Sequence, residues 1–337
     1  MSTVRANNIL DAAGGNTATI NGMTPTAQSL QGFRNRIING DMRIDQRNNG
    51  ASVTINTASV VYTVDRAYSF VLGAACTAQR ISSGRTDFPF ALRVTGAASN
   101  TYVEVGQRIE SFNCTDLVGG SVTVSFLAAR SSGTSVTVRL SYANTTDGHI
   151  GGVTTIGTQM VTISSTLAQY TVTFNSLLSQ TANGLQIGFE FGAVGSGQTV
   201  TVTGVQLEAG SVATPFERRD YGRELMMCQR YYYRNSQSGA PTGSLGFGVS
   251  VSTTQSDIQV QSPVTMRSAP TLAFGGSPIV TDSIGYNLSV GSIAIQYGNP
   301  QNVRAFFNHA ATATVRSPAT LSHISGTSAY IELTAEL

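Results

Sequence analysis

The chain has 337 residues and a formal charge of +2, its charged fraction is only 11%, and all 20 of its basic residues are arginine. That length accommodates two ordinary domains, each able to bury a core without disulfides. There is no dense basic stripe to displace counterions from phosphates and no run near the roughly 20 apolar residues of a membrane helix, so neither nucleic acid binding nor membrane insertion is expected.

Gly, Ser, Thr, Asn, Val and Ala dominate, a balance that favours short strands and tight turns and predicts an all-β protein. Residues 1–33 are polar and too poor in apolar side chains to form a core, and brief β-prone stretches such as Thr17-Ala18-Thr19-Ile20 predict an extended attachment arm that orders against other copies or a partner. Its opening residues, MSTVRANNIL, lack the apolar core of a signal peptide, which predicts synthesis and retention in the cytoplasm before assembly.

From 34 to 217 strand follows strand, predicting a β-sandwich jelly-roll domain. In SVTVSFLAA (121–129) Val122, Val124 and Phe126 alternate on one face, and TSVTVRLSY (134–142) repeats the period with Val136, Val138 and Leu140. The two are expected to be neighbouring antiparallel strands. Further strands are predicted at 169–176, 185–192 and 198–210, with turns at Ala182-Asn183-Gly184 and Gly195-Ser196-Gly197.

Pro215 ends that pattern, and DYGRELMMCQRYYYR (220–234) predicts the one helix, with Asp220 as N-cap and a connecting segment placed at 218–234. Strands at 246–253, 256–265, 292–298, 303–310 and 329–337 then predict a second, C-terminal β-sandwich domain over 235–337.

Catalytic chemistry finds little footing. The three cysteines, Cys76, Cys114 and Cys228, are widely spaced with no CxxC and read as buried thiols. His149, His309 and His323 have no neighbouring ligand at metal-site spacing, and His149, after Asp147-Gly148, is expected to face solvent from a turn. No GxSxG elbow exists, and a phosphate-binding GxxxxGK[ST] loop is impossible without lysine. Asp41, Asp65, Glu104, Glu110, Glu190 and Glu208 leave a glycosidase pair open, with structural pairing to arginine preferred. Tyr62 and Tyr68, flanking Arg66, are assigned to core or interface ahead of a sugar platform. No catalytic residue and no cofactor is expected.

FRNRIINGDMRIDQRNNGASV (33–53), YTVDRAYSF (62–70), GQRIES (106–111) and above all VTGVQLEAGSVATPFERRDYGRELMMCQRYYYR (202–234) resemble a family of tailed-bacteriophage tail-fibre and virion structural proteins. SPVTMRSAPTLAFGG (262–276) is similar to the start of the C-terminal β domain that follows in those proteins. They in turn resemble carbohydrate-binding jelly rolls, with Asn39-Gly40-Asp41-Met42 and Leu207-Glu208 matching the two ends of the domain and Tyr68 standing where the family has Trp. The resemblance implies a homotrimeric fibre subunit held to the phage tail by its N-terminal arm. It further implies binding of a host-surface glycan or outer-membrane receptor, with Asp41 and Glu208 as calcium candidates and no enzyme activity expected. A capsid decoration or head-fibre protein is the alternative, and a capsular depolymerase a third reading.

Overall fold

The computed structural model describes residues 33–238, 244–282, 287–310, 312–323 and 327–337, so the expected arm lies outside the described residues, Phe33 aside. The chain divides into two compact units, residues up to Arg219 together with Leu337, and Asp220–Glu336. The expected all-β class is what the structure shows, with a single α-helix among the described residues.

Twelve strands build the first unit: β1 (Val53–Ile55), β2 (Val61–Val64), β3 (Ala67–Leu72), β4 (Cys76–Ser82), β5 (Phe90–Thr95), β6 (Tyr102–Ile109), β7 (Val122–Arg130), β8 (Ser135–Ala143), β9 (Val153–Thr162), β10 (Ala168–Phe174), β11 (Leu185–Gly192) and β12 (Thr199–Ala209). They form two six-stranded sheets, ordered β1-β4-β5-β12-β7-β10 and β2-β3-β6-β11-β8-β9, with every pairing antiparallel. Side chains alternate across a strand, so each sheet turns one apolar face inward, and Val124, Phe126, Val138, Leu140, Ile187, Phe189, Val200 and Val202 make one continuous core. Phe126 and Phe189, from opposite sheets, meet at 4.8 Å between ring centroids.

The expectation that 121–129 and 134–142 pair with each other is overturned. β7 lies between β12 and β10 in one sheet, while β8 lies between β11 and β9 in the other. Alternation specifies which face of a strand is buried and leaves the choice of neighbour open. The connection crosses between sheets, and Arg130 holds it by donating to the carbonyls of Ser132, Ser135 (3.2 Å), Phe191 and Ala193 (2.6 Å).

The two ends of the domain meet. The Arg36 amide donates to the Leu207 carbonyl at 2.8 Å, the Leu207 amide to Asn35 Oδ1 at 3.1 Å, and the Val205 amide to the Gly40 carbonyl at 2.9 Å. A Cβ at position 40 would lie 2.1 Å from the Val205 carbonyl oxygen, so the close approach requires glycine. Cys76 and Cys114, and Cys228 in the second unit, are buried free thiols as expected, and burial pushes the Cys114 thiol up to about 12.

The second unit begins with α1 (Tyr221–Gln229), whose N-cap Asp220 accepts from the Gly222 and Arg223 amides at 2.9 and 3.2 Å. The helix is shorter than expected: Tyr232 to Arg234 belong to strand β13 (Tyr232–Ser238). Consecutive tyrosines favour a pleated surface, and the antiparallel partner decides the matter, with Tyr232 opposite Thr334.

β14 (Gly246–Ser252), β15 (Gln255–Gln261), β16 (Thr271–Gly276), β17 (Pro278–Asp282), β18 (Asn287–Asn299), β19 (Asn302–His309), β20 (Pro318–His323) and β21 (Ser328–Thr334) follow. Six of them close into a barrel ordered β14-β15-β19-β18-β17-β20, and β13-β21-β16 form a three-stranded sheet. Where the sequence predicts a second sandwich, closure removes the sheet edges that short strands would otherwise expose.

His149 also departs from expectation: it is 4% exposed, and its Nε2 lies 3.0 Å from the Leu185 carbonyl. Burial lowers its pKa from the ordinary 6.5. On acidification the unfolded chain therefore takes up a proton that the folded chain resists, so the stability this neutral imidazole contributes is present above that value and lost as pH falls. Stability should fall as the pH is lowered from neutrality through the ordinary imidazole range, and His149→Gln should flatten that dependence, as measured by urea unfolding across the range.

Candidate functional site

The outward face of the β2-β3-β6-β11-β8-β9 sheet carries an array of polar and aromatic side chains. Strand register sets it out in two rows. One runs Tyr62, Tyr68, Gly106, Gly188, Arg139, Thr158 across all six strands, and the next runs Phe70, Glu104, Glu190, Thr137, Met160 from β3 to β9. Side chains in such rows stand about 5 Å from their cross-strand partners and interact directly.

The glycines give the first row its shape. A Cβ at Gly106 would lie 2.5 Å from Tyr68 Oη, and one at Gly188 would lie 2.7 Å from Glu104 Oε1. This shallow trench lets Tyr68 lie flat over β6, and it is 2% exposed although it points away from the core. The aromatic at this position, where the resemblance has Trp, is therefore no platform for a ligand.

Glu104 and Glu190 face each other directly, an arrangement that like charge disfavours. Arg139 resolves it: Nη2 donates to Glu104 at 2.8 Å and Nε donates to Glu190. Tyr68 Oη and Tyr102 Oη donate to the two oxygens of Glu104 at 2.5 and 2.7 Å. Burial and the Glu104 carboxylate push both phenol pKa values upward, so both hydroxyls stay protonated donors. Burial lowers the Arg139 pKa, but the two carboxylates outweigh it and the guanidinium is held charged.

Alongside this network lies a half-buried aromatic pair, Phe70 and Tyr102, edge to face at 6.2 Å between centroids. Beside it Glu190 and Arg139 each keep about a fifth of the side chain open to solvent. Ring faces flanked by a carboxylate and a guanidinium can hold the C–H face of a sugar and hydrogen-bond its hydroxyls.

Of the six carboxylates noted in the sequence, the structure brings Glu104 and Glu190 together through a shared partner, Arg139. Asp65 accepts from Gln46 at 3.0 and 2.5 Å, and Glu110 is buried. The calcium candidates have separate partners: Asp41 pairs with Arg43 at 3.4 Å and Arg218 at 3.9 Å, whereas Glu208 accepts from Gln206, the Thr214 amide and the Thr214 hydroxyl at 2.9, 2.8 and 2.5 Å. Among the described residues no cluster of three or more His, Cys, Asp or Glu side chains could hold a metal ion.

The sequence reading missed Arg139, Phe70 and Tyr102. Their signal was present as outward positions of apolar-alternating strands, but only register shows that those positions share a face.

No protein-family model matches the chain, and no curated protein matches it. Similar solved structures include a Bacteroides thetaiotaomicron protein described as a candidate sugar binder, at 15% identity and TM-score 0.36, matching 52% of this chain and 100% of its own. The enzymatically active domain of bacteriophage CBA120 tailspike protein 4 matches at 12% identity and TM-score 0.34, over 53% of this chain and 22% of its own. The C-terminal family 22 carbohydrate-binding module of Clostridium thermocellum Xyn10B matches at 12% identity and TM-score 0.32, over 48% of this chain and 97% of its own. Likenesses at this level carry no argument about activity.

Replacing Arg139 by Met leaves Glu104 and Glu190 facing each other without their shared cation. Arg139→Met should cost about 1–3 kcal/mol in denaturant unfolding, and adding Glu190→Gln should restore part of that loss.

Proposed function

We propose that the first unit binds carbohydrate on the outward face of its β2-β3-β6-β11-β8-β9 sheet. The half-buried Phe70–Tyr102 pair beside the Arg139–Glu190 ion pair is the observation that carries this reading. A saccharide stacks one apolar ring face on aromatic carbons and spends its hydroxyls on charged, pre-oriented groups, and this surface offers both within one cross-strand neighbourhood.

The reading is binding without turnover. Glu104 accepts bonds from a guanidinium and two phenols, so its oxygens are engaged by the protein's own donors and are not presented to a glycosidic oxygen.

The biological setting follows from the resemblance of residues 33–234 to tailed-phage virion proteins. We infer a tail-fibre subunit, homotrimeric and attached through its N-terminal arm, that adheres to a host-surface glycan. Several weak sites on one particle give lasting attachment, because each engaged site raises the effective concentration of the next. Imaging of intact virions separates this from a capsid decoration protein: density on the tail supports the fibre assignment, and density on the head removes it.

Tyr102→Ala and Phe70→Ala should each weaken binding of the full chain to immobilised host polysaccharide by about tenfold. Glu208→Gln should leave it unchanged. Biolayer interferometry measures both, and an unchanged affinity in the aromatic variants would overturn the site.

A further inference from the structure

The opposite sheet has a cavity of about 360 Å³ on its outward face, within the size range of small-ligand sites. Its floor is a single cross-strand row: Arg93 on β5 stands opposite Thr201 on β12, which stands opposite Ala129 on β7. Leu167 and Ile81 supply apolar carbon, and Ser131, Thr166 and Thr199 bring hydroxyl groups.

Charge sets this cavity apart. Three arginines line it and no carboxylate does. Arg85 is neutralised by Asp87, its Nε and Nη2 donating to the two carboxylate oxygens at 2.9 and 2.6 Å. Arg130 gives its donors to four backbone carbonyls, which satisfy its hydrogen bonds and leave its charge unbalanced; burial pulls its pKa down with no anion nearby to oppose it. Arg93 is exposed and has no hydrogen-bond or ion-pair partner among the described residues, so its planar fork is free to meet a ligand. In a chain that otherwise matches so many of its arginines to acids, two uncompensated guanidinium groups on one hydroxyl-lined cavity mark a place for an anion.

We propose that this cavity is a second saccharide subsite, selective for a sugar bearing a carboxylate, such as a uronic acid residue of an acidic polysaccharide. Arg93 takes the carboxylate with two parallel N–H···O bonds. The Arg130 charge lowers the cost of bringing the anion in, Leu167 and Ile81 meet the C–H face of the ring, and Thr201 and Thr199 reach its hydroxyls. The planar, singly charged carboxylate matches the Arg93 fork, and the Leu167 and Ile81 carbons and surrounding hydroxyls require a ring behind the anion where a bare oxyanion would leave them unused.

The test uses the full chain and α-1,4-linked tetragalacturonate as probe, followed by isothermal titration calorimetry. Tetragalacturonate should bind at least about tenfold more tightly than the neutral galactose tetrasaccharide of the same linkage, and Arg93→Gln should remove about tenfold of that affinity. Arg93 is exposed and unpaired, so this change leaves the fold intact. Arg93→Gln should abolish the acidic-over-neutral preference and leave binding of the neutral tetrasaccharide as it is, so failure here and failure of the aromatic site are read separately. The proposal falls if tetragalacturonate does not bind, if Arg93→Gln binds it as well as the parent does, or if inorganic sulfate or phosphate binds with the same affinity as the oligosaccharide, which would make this a simple anion site.

Discussion

The contact between Phe126 and Phe189 holds the first unit together at its centre. One ring comes from β7 and the other from β11, and their centroids lie 4.8 Å apart in the plane where the two sheets meet. Because side chains alternate at period two, fixing these rings inward also fixes Ser125, Leu127, Gly188 and Glu190 outward on the same strands. A slip of one residue in β11 would bury Glu190 and expose Phe189, and burying an unpaired charge is costly against the few kcal/mol that hold a domain folded. Both proposed saccharide surfaces are therefore consequences of core packing, since each is the reverse side of a sheet whose inner face the core has already specified.

The arginine-only basic complement is used consistently on this scaffold. Arg139 bridges two carboxylates that the register forces into opposition, Arg130 secures the crossover between sheets, and Arg36 pairs with Asp116 at 2.5 Å. A guanidinium offers five donors in a plane and can satisfy several acceptors at once, whereas a lysine ammonium at position 130 could not reach four carbonyls spread over two segments. Arg93 departs from the pattern, having no partner on the described residues.

Glycine placement shapes the surface as much as the charges do. Gly106 and Gly188 stand opposite each other on β6 and β11, and the space they leave is filled by Tyr68 and Glu104 from neighbouring positions. This sinks Tyr68 and Glu104 into the sheet, while Phe70, Tyr102, Arg139 and Glu190 keep part of their surface open to solvent. At the other end of the domain Gly40 packs against the β12 backbone and lets the entering and leaving segments hydrogen-bond side by side.

The sequence by itself determined the all-β class, the position of most strands, the N-cap at Asp220 and the burial of the three cysteines, because alternation, turn chemistry and capping are local properties that a short window of residues carries. Through resemblance it implied that Asn39–Met42 and Leu207–Glu208 mark the two ends of one domain, and the structure sets those segments side by side. Tertiary structure alone decided which strands are neighbours. The separation of β7 from β8, the closure of the second unit into a barrel and the reassignment of Tyr232 to a strand all depend on partners distant in the chain, and periodicity is silent about partners. The same reason kept both candidate surfaces out of view: Glu104, Arg139 and Glu190, or Arg93, Arg130 and Thr201, become a site only when register sets their strands side by side, and His149 reads as a turn residue until the Leu185 carbonyl is brought over it.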